Sequence, residues 1–341
     1  TIFILLIILT FSLVLKDQDV SQIFSVAAKV KKQYILFAVL AMSIYILGEA
    51  VNITRILKEL GEKSKLISNI RYTLIGFFFS AITPAASGGQ PMEIYYMHKD
   101  DISVANSTLA LLMQLCSLQI VTITVGTISA VIHFEVLKSG LIYLLILGII
   151  LNSSALMLLI IAIFSKRLSE GLIKFAVKLL KFFRIPNVEK KQEKLEKELE
   201  SYQTSAKYIK EHKILMLKTV ITTVVQMIAY YSVPYWIYLA FGLTEYNIFE
   251  ILTLQAVLYA TVSGIPSPGA VGVSEGGFLG IFKNVFPETI ISSAMLLTRG
   301  ANFYLFIIIS AIIVMISTFR EKKIEKKQMQ ETEVLTEKSE K

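Results

Sequence analysis

The chain has 341 residues, of which 54% are hydrophobic, and its formal net charge is +8. A soluble domain is normally about 45–50% apolar, and several stretches here run about 20 residues with few charges, the length that crosses roughly 30 Å of hydrocarbon. The composition therefore excludes an ordinary soluble domain and predicts an all-α polytopic membrane protein. Basic residues collect in the cytoplasmic loops of such proteins, so we expect no nucleic-acid partner.

The apolar segments, in chain order, are 1–15, 33–53, 72–97, 102–132, 141–164, 214–241, 247–286 and 290–318. The first lacks a small-residue cleavage site, so we interpret it as a membrane helix rather than a signal peptide. Because it begins without Met, we expect the natural N-terminus to lie upstream. Two segments, 72–97 and 247–286, are interrupted by the sequences TPAASGGQP and GIPSPGAVGVSEGG.

Three basic regions predict the topology, because Lys and Arg accumulate on the cytoplasmic side. Region 54–71 has five basic residues against two Glu, 165–213 has 13 against 7, and 320–341 has 7 against 6. If all three are cytoplasmic, each interrupted segment must return to the side from which it enters. We therefore expect six spanning helices and two re-entrant hairpins that enter from opposite faces, an arrangement typical of transporters with inverted repeats. Region 16–32 is then external despite its lysines.

Residues 1–320 are predicted to form one transmembrane domain, and 321–341 a charged cytoplasmic tail. Region 165–213 is expected to be a cytoplasmic linker inside that domain. Its second part, VEKKQEKLEKELESYQ, is typical of a solvated, charge-paired helix. Its first part has an apolar helical face, which favours binding to an anionic lipid surface. The basic residues on the other face are Lys174, Lys178 and Lys181.

The two interruptions are the candidate functional elements, because irregular backbone at membrane depth is tolerated only where protein buries it or where it lines a wet cavity. Half-helices that begin after such turns present free N–H groups to anions. In each turn a proline precedes a glutamate by nine residues, Pro84 before Glu93 and Pro266 before Glu275. The alternative interpretation is a pair of kinked core helices. The other turn residues assigned to the cavity are Gly88, Gly89, Pro91, Pro268, Gly269, Gly272 and Ser274.

Arg299 is the strongest candidate site residue. It follows Ile290 by nine residues, about 13–14 Å along a helix, which is close to the middle of a bilayer. Arginine stays charged in proteins, so it requires a carboxylate or a phosphate. Glu275 and Glu93 are the candidate protein partners, and Glu49 is a weaker candidate near the end of its span. Arg299 is therefore either half of a structural ion pair or a cavity residue that meets a lipid headgroup.

The stretches FFFSAITPAASGGQPMEIYYMHKDDISVANS and IPSPGAVGVSEGGFLGIF, together with Arg299, resemble the membrane domain of the lysylphosphatidylglycerol synthase/flippase family, including its stand-alone flippase-like members. The resemblance covers nearly all of residues 1–320. It implies a protein of the bacterial cytoplasmic membrane, with the motif residues arranged around the path of a lipid cargo. In two-part members a soluble domain transfers lysine. This chain stops at Lys341 after a charged tail, so we expect transport rather than lysyl transfer.

The predicted function is translocation of a phospholipid or lipid-linked headgroup, with lysylphosphatidylglycerol as a candidate, through a polar cavity. No cofactor is expected, because the chain has no phosphate-binding G-x-x-x-x-G-K-[ST] loop and no metal-ligand spacing among its three histidines. Movement would then run downhill or use an ion gradient. The expected partners are membrane phospholipid, an anionic lipid surface and a separate soluble enzyme. The alternatives are a phosphatidylglycerol lysyltransferase and a scaffold for a cell-envelope enzyme.

Overall fold

The computed structural model describes residues 29–83, 86–134, 141–165, 188–265 and 268–320, with the isolated positions 25, 167, 170, 171, 174 and 178. Within these ranges the protein is all-helical, as the sequence predicts, and five helices are long and apolar enough to span a membrane. The predicted first helix 1–15 and the tail 321–341 lie outside the described residues. The helices are α1 (Lys32–Glu59), α2 (Leu66–Ile82), α3 (Gly89–Lys99), α4 (Val104–Ile132), α5 (Leu141–Phe164), α6 (Val188–Glu211), α7 (Lys213–Ala240), α8 (Ile248–Val262), α9 (Val273–Ile281) and α10 (Ile291–Arg320).

Both interrupted segments are broken helices. The first consists of α2 and α3, which pack against each other, and the second of α8 and α9. One order of elements therefore occurs twice: a long helix, a broken pair and another long helix, first as α1 to α4 and then as α7 to α10. The two copies are joined by α5 and α6. The assignment of inner and outer faces stays a prediction.

The first break is closed by hydrogen bonds of its own side chains. Thr83 follows the end of α2, and its hydroxyl donates to the Phe79 carbonyl at 2.7 Å and accepts from the Gly88 N–H at 2.9 Å. A Cβ atom on Gly89 would lie 2.1 Å from the Ser80 hydroxyl and 3.0 Å from the Gly76 carbonyl. The absence of a side chain at Gly89 therefore lets α3 begin directly against α2.

The two long helices α1 and α7 form the most extensive helix pair of the fold. Gly48 brings them close, since a Cβ atom there would lie 2.8 Å from the Gln226 Cβ. The Asn52 amide donates to Gln114 of α4 at 2.8 Å and to Thr223 of α7 at 3.0 Å, and Gln114 donates to Gln226 at 3.2 Å. Interhelical polar contacts of this kind join helices where apolar burial gives little driving force between them.

Helix α6 extends beyond the predicted solvated stretch 188–203 and contacts the bundle towards its C-terminal end. The predicted charge pairing is present, with Lys197 and Glu193 2.7 Å apart. The opposite end packs on α4, α5 and α7: Ile209 is fully buried, and the Tyr202 hydroxyl donates to the Ala162 carbonyl at 2.8 Å. The apolar and aromatic residues among the charges account for these contacts.

Helix α5 is joined tightly to the end of α8. The Asn152 amide donates to the Ala260 carbonyl at 3.2 Å and to the Ser263 hydroxyl at 3.1 Å, and so satisfies a carbonyl that has no partner within its own helix end. Gly148 makes this approach possible, because a Cβ atom there would lie 2.4 Å from the Ala260 carbonyl oxygen and 2.8 Å from that of Thr261. The start of the second break is thereby fixed to α5.

The α5–α8 contact leads to a stability prediction. Replacing Gly148 with Ala forces a methyl group against two backbone oxygens, so we expect a loss of about 1–3 kcal/mol of unfolding free energy, as for other overpacked sites. Gly276→Ala is the matched control, because a Cβ atom at Gly276 meets nothing within 4 Å. Thermal unfolding in detergent should show a lower midpoint for Gly148→Ala only. An unchanged midpoint would contradict the packing described for this contact.

Candidate functional site

A cavity of about 780 Å³ lies where the two broken helices meet. The first break contributes Ala86 and Ser87 to its lining, and the second contributes Ile265, Gly269 and Ala270. The rest of the lining comes from the long helices and from α2, α3, α8 and α9. Ligand pockets in proteins are roughly 300–1,000 Å³, so the space suits a polar headgroup. Residues of both interruptions thus line one cavity.

Arg299 lines this cavity from α10 and is held by the second break. Its Nε donates to Glu275 Oε1 at 2.9 Å, and its Nη2 donates to the Gly269 carbonyl at 2.9 Å. The arginine is 8% exposed and the glutamate 7%. The two bonds use two of the five N–H groups of a guanidinium. Of the two glutamates predicted as partners, Glu275 is therefore the one that pairs with Arg299. The arginine also lines the cavity.

Glu275 joins the arginine to the start of α9. It is the third residue of that helix, and its Oε2 accepts from the Gly272 N–H at 2.6 Å. A carboxylate in the first helical turn is stabilised by the unpaired N–H groups and the helix dipole. The chain of contacts therefore closes on itself, from the Gly272 N–H through Glu275 and Arg299 to the Gly269 carbonyl. We refer to these four residues as the arginine ring.

Glycines are required at two positions of the second turn. Gly269 has a φ of +58° and lies so close to Phe303 that a Cβ atom would come within 2.3 Å of the ring. Gly272, immediately before α9, has a φ of +82°. Left-handed backbone is accessible to glycine at little cost and is strained for most other residues. The GAVG spacing therefore sets the path that brings the Gly269 carbonyl to Arg299.

The helix that carries Arg299 changes its winding directly after it. Residues Gly300–Tyr304 form one π-helical turn, after which α10 continues to Arg320. Phe303, in this turn, places its ring centroid 4.0 Å from the Arg299 guanidinium carbon and 6.1 Å from the ring of Phe77 on α2. Single π-helical turns inside α-helices are frequent at functional sites. This one stacks an aromatic ring on the guanidinium and joins the second break to the first.

Glu93 occupies the corresponding place in the first break but makes different contacts. It is the fifth residue of α3, too far along to cap it, and it is 2% exposed. Its Oε1 lies beside α2, where a Cβ atom on Gly76 would be 2.0 Å away, and its Oε2 is buried with no hydrogen-bond partner. The equal spacing of proline and glutamate in the two turns therefore does not give equal roles.

The predicted site residues divide into three groups. Arg299, Glu93, Glu49, Ser274 and Gly269 line the cavity. The residues of a second group do not line the cavity but form the turns or the first residues of α3 and α9. They are Glu275, Gly272, Gly88, Gly89 and Pro91. Pro84, Pro266 and Lys181 lie outside the described residues, as does the side chain of Pro268, while Lys174 and Lys178 are exposed at isolated positions.

Much of the cavity wall was not predicted from the sequence. The rings of Tyr45, Tyr230 and Tyr259 pack together, with Tyr230 centred 5.2 Å from Tyr45 and 5.3 Å from Tyr259, and all three line the cavity. On α4 the polar residues Gln114 and Thr122 also line it. Their spacing of two helical turns, which places them on one face of α4, was the available signal.

Comparison with known proteins gives two matches. The model of the family described as "Lysylphosphatidylglycerol synthase TM region" matches residues 1–310. A protein of Archaeoglobus fulgidus named "UPF0104 membrane protein" is 24% identical over 276 residues, which cover 77% of this chain and 80% of the relative. The family match spans both broken helices and Arg299, and it agrees with the resemblance stated from the turn motifs.

The arginine ring yields a prediction about stability. Glu275→Gln leaves the guanidinium buried without its carboxylate, and breaking a buried pair in this way typically costs about 3–5 kcal/mol. Combining Glu275→Gln with Arg299→Met removes both charges and should recover part of that loss. Glu193→Gln is the control, because its partner Lys197 is exposed and exposed pairs contribute little. If Glu275→Gln and Glu193→Gln give the same unfolding midpoint in detergent, the arginine ring does not stabilise the fold as described.

Proposed function

The chain belongs to the lysylphosphatidylglycerol synthase transmembrane-region family, and from this premise we propose that it moves a phospholipid or lipid-linked headgroup across the membrane. The headgroup crosses inside the cavity of about 780 Å³, while the acyl chains remain in lipid. The proposal is carried by the position of Arg299, a permanent cation that lines the cavity between the two helix breaks. A charge at membrane depth is costly, and it usually marks a substrate path.

The phosphate of the headgroup binds Arg299 in this proposal. The arginine ring fixes the guanidinium through Nε and one bond from Nη2, which leaves donor capacity for an anion. Planar, forked donors suit phosphate oxygens. Glu275 neutralises the arginine when no phosphate is bound, so the cavity need not hold an isolated charge. Because the guanidinium is pinned on both sides and stacked on Phe303, it meets the anion without first being ordered.

The start of α3 assists at the other break. Gln90, its second residue, lines the cavity together with Ser87 of the preceding turn. Unpaired N–H groups and the helix dipole at such a start favour negative charge. The cavity thus offers an anion two sites of attraction, one at each break, between which a phosphate can be passed as the headgroup crosses.

The family description makes lysylphosphatidylglycerol the first cargo to test. Other lipid-linked headgroups also carry an anionic phosphate that Arg299 could bind. The proposal places the protein in the bacterial cytoplasmic membrane with α6 and the C-terminus on the cytoplasmic side. There Lys174 and Lys178, both exposed, contact an anionic lipid surface. A separate soluble enzyme that makes the cargo would act from that same side.

Reconstitution in liposomes tests the role of Arg299. Loss of a charge-assisted contact to phosphate costs about 1.5–3 kcal/mol, so we expect Arg299→Ala to slow the movement of labelled lysylphosphatidylglycerol by about tenfold or more. Arg299→Lys keeps the positive charge but lacks the forked guanidinium. Its rate of lipid movement should lie between those of the parent and Arg299→Ala. Arg320→Ala, at the exposed end of the same helix, is the control. If Arg299→Ala is folded and moves lipid at the parent rate, this mechanism is wrong.

A further inference from the structure

Two carboxylates of the cavity lack a cation. Glu49 of α1 and Glu93 of α3 both line it, and among the described residues neither is joined to a basic side chain by an ion pair. In that same part of the chain Arg299 is the one basic residue of the lining, and it is already bound to Glu275. The proposed phosphate site therefore leaves this second polar feature without a role.

Glu93 is built into its position. Gly76 provides the space for its Oε1, and its Oε2 is buried with no hydrogen-bond partner. Glu49 lines the same cavity. Keeping two unpaired carboxylates charged at such a place would be very unfavourable, and nearby like charges disfavour one another. A cation must therefore be bound there for at least part of the time.

The accessibility of Oε2 determines which cation fits. The atom has essentially no exposed surface, so an ammonium group or a hydrated metal ion cannot touch it without a rearrangement, whereas a proton can. The buried Thr73 hydroxyl of α2, which also lines the cavity, is likewise without a partner. The described residues contain no group of three His, Cys, Asp or Glu that could hold a metal ion.

The other titratable groups that line the cavity are few. They are Tyr45 from α1, Tyr230 from α7, Tyr259 from α8 and Arg299 from α10. Helices α2 and α4, which pack directly on α3, contribute no titratable side chain to the described lining. Arg299 is neutralised by Glu275, and the tyrosines are neutral at ordinary pH. The carboxyl pair is thus the part of the cavity that can change charge.

We propose that Glu93 and Glu49 form a proton-binding pair that couples headgroup movement to a proton gradient. Glu93 takes a proton from water that reaches the cavity from one face of the membrane, becomes a neutral acid, and returns the same proton to water at the other face. Glu49, which is less deeply buried, exchanges the proton between water and Glu93. No covalent bond of the cargo changes. The coupling rests on the proposed function, whereas proton binding itself does not.

Infrared titration of the purified protein in detergent tests proton binding without any cargo. We expect a protonated-carboxyl C=O band that persists at neutral pH in the parent protein and is lost in Glu93→Gln. Glu245→Gln, at an exposed loop position, should keep the band. Disappearance of every carboxyl band well below neutral pH, or a band that survives Glu93→Gln, would overturn the proton-binding pair.

Liposomes containing fluorescent phosphatidylglycerol or fluorescent lysylphosphatidylglycerol test the coupling. A gradient of one pH unit supplies a driving ratio of about tenfold for one proton, so the parent should move lipid several-fold faster along the gradient than against it. Glu93→Gln should move lipid at one rate in both directions, and Glu245→Gln should behave as the parent. Lipid movement that ignores the pH gradient, or that follows a sodium gradient instead, overturns the coupling. If the infrared band is present but the parent moves neither lipid, the proposed function fails for these cargoes and the proton site stands.

Discussion

The contact between Arg299 and Glu275 is the constraint on which the rest of this structure depends. A guanidinium cannot lose its charge, so placing one deep in an apolar bundle requires a carboxylate close by. Here that carboxylate is fixed at the start of α9, and the same arginine also binds a carbonyl of the preceding turn. The pair therefore does more than neutralise a charge. It fixes the path of the second break and keeps the guanidinium at the cavity wall.

The two halves of the fold use one plan with different chemistry. Each presents a long helix, a broken pair and a second long helix, and each places a glutamate nine residues after a proline. In the second half the glutamate is the third residue of its helix and is held by backbone and arginine. In the first half it is the fifth residue of α3, beyond the reach of the helix start, and lies against Gly76. A shift of two positions in where the helix begins thus separates an ion-paired carboxylate from an unpaired one.

Much of this could be predicted from the sequence, because prolines, glycines and charges in apolar segments are rare enough to be informative. The two breaks and Arg299 were found in that way. The choice between Glu275 and Glu93 could not be, since it depends on where each helix starts. Gly76 was also missed, because its role comes from a contact made 17 residues away in the chain. The burial of Ile209 on α6 was hidden by the surrounding charges.

The two turns differ in how firmly they are attached to their surroundings. The second is bonded to α5 through Asn152 and to α10 through Arg299. In the described part of the first turn, the bonds of Thr83 and Ser80 all stay within the hairpin. The first hairpin meets its neighbours elsewhere, because α3 packs on α4 and the Tyr96 hydroxyl of α3 lies 3.2 Å from that of Thr318 on α10. The consequence is that the second turn is held directly by two other helices, whereas the described part of the first turn depends on the packing of the helices that flank it.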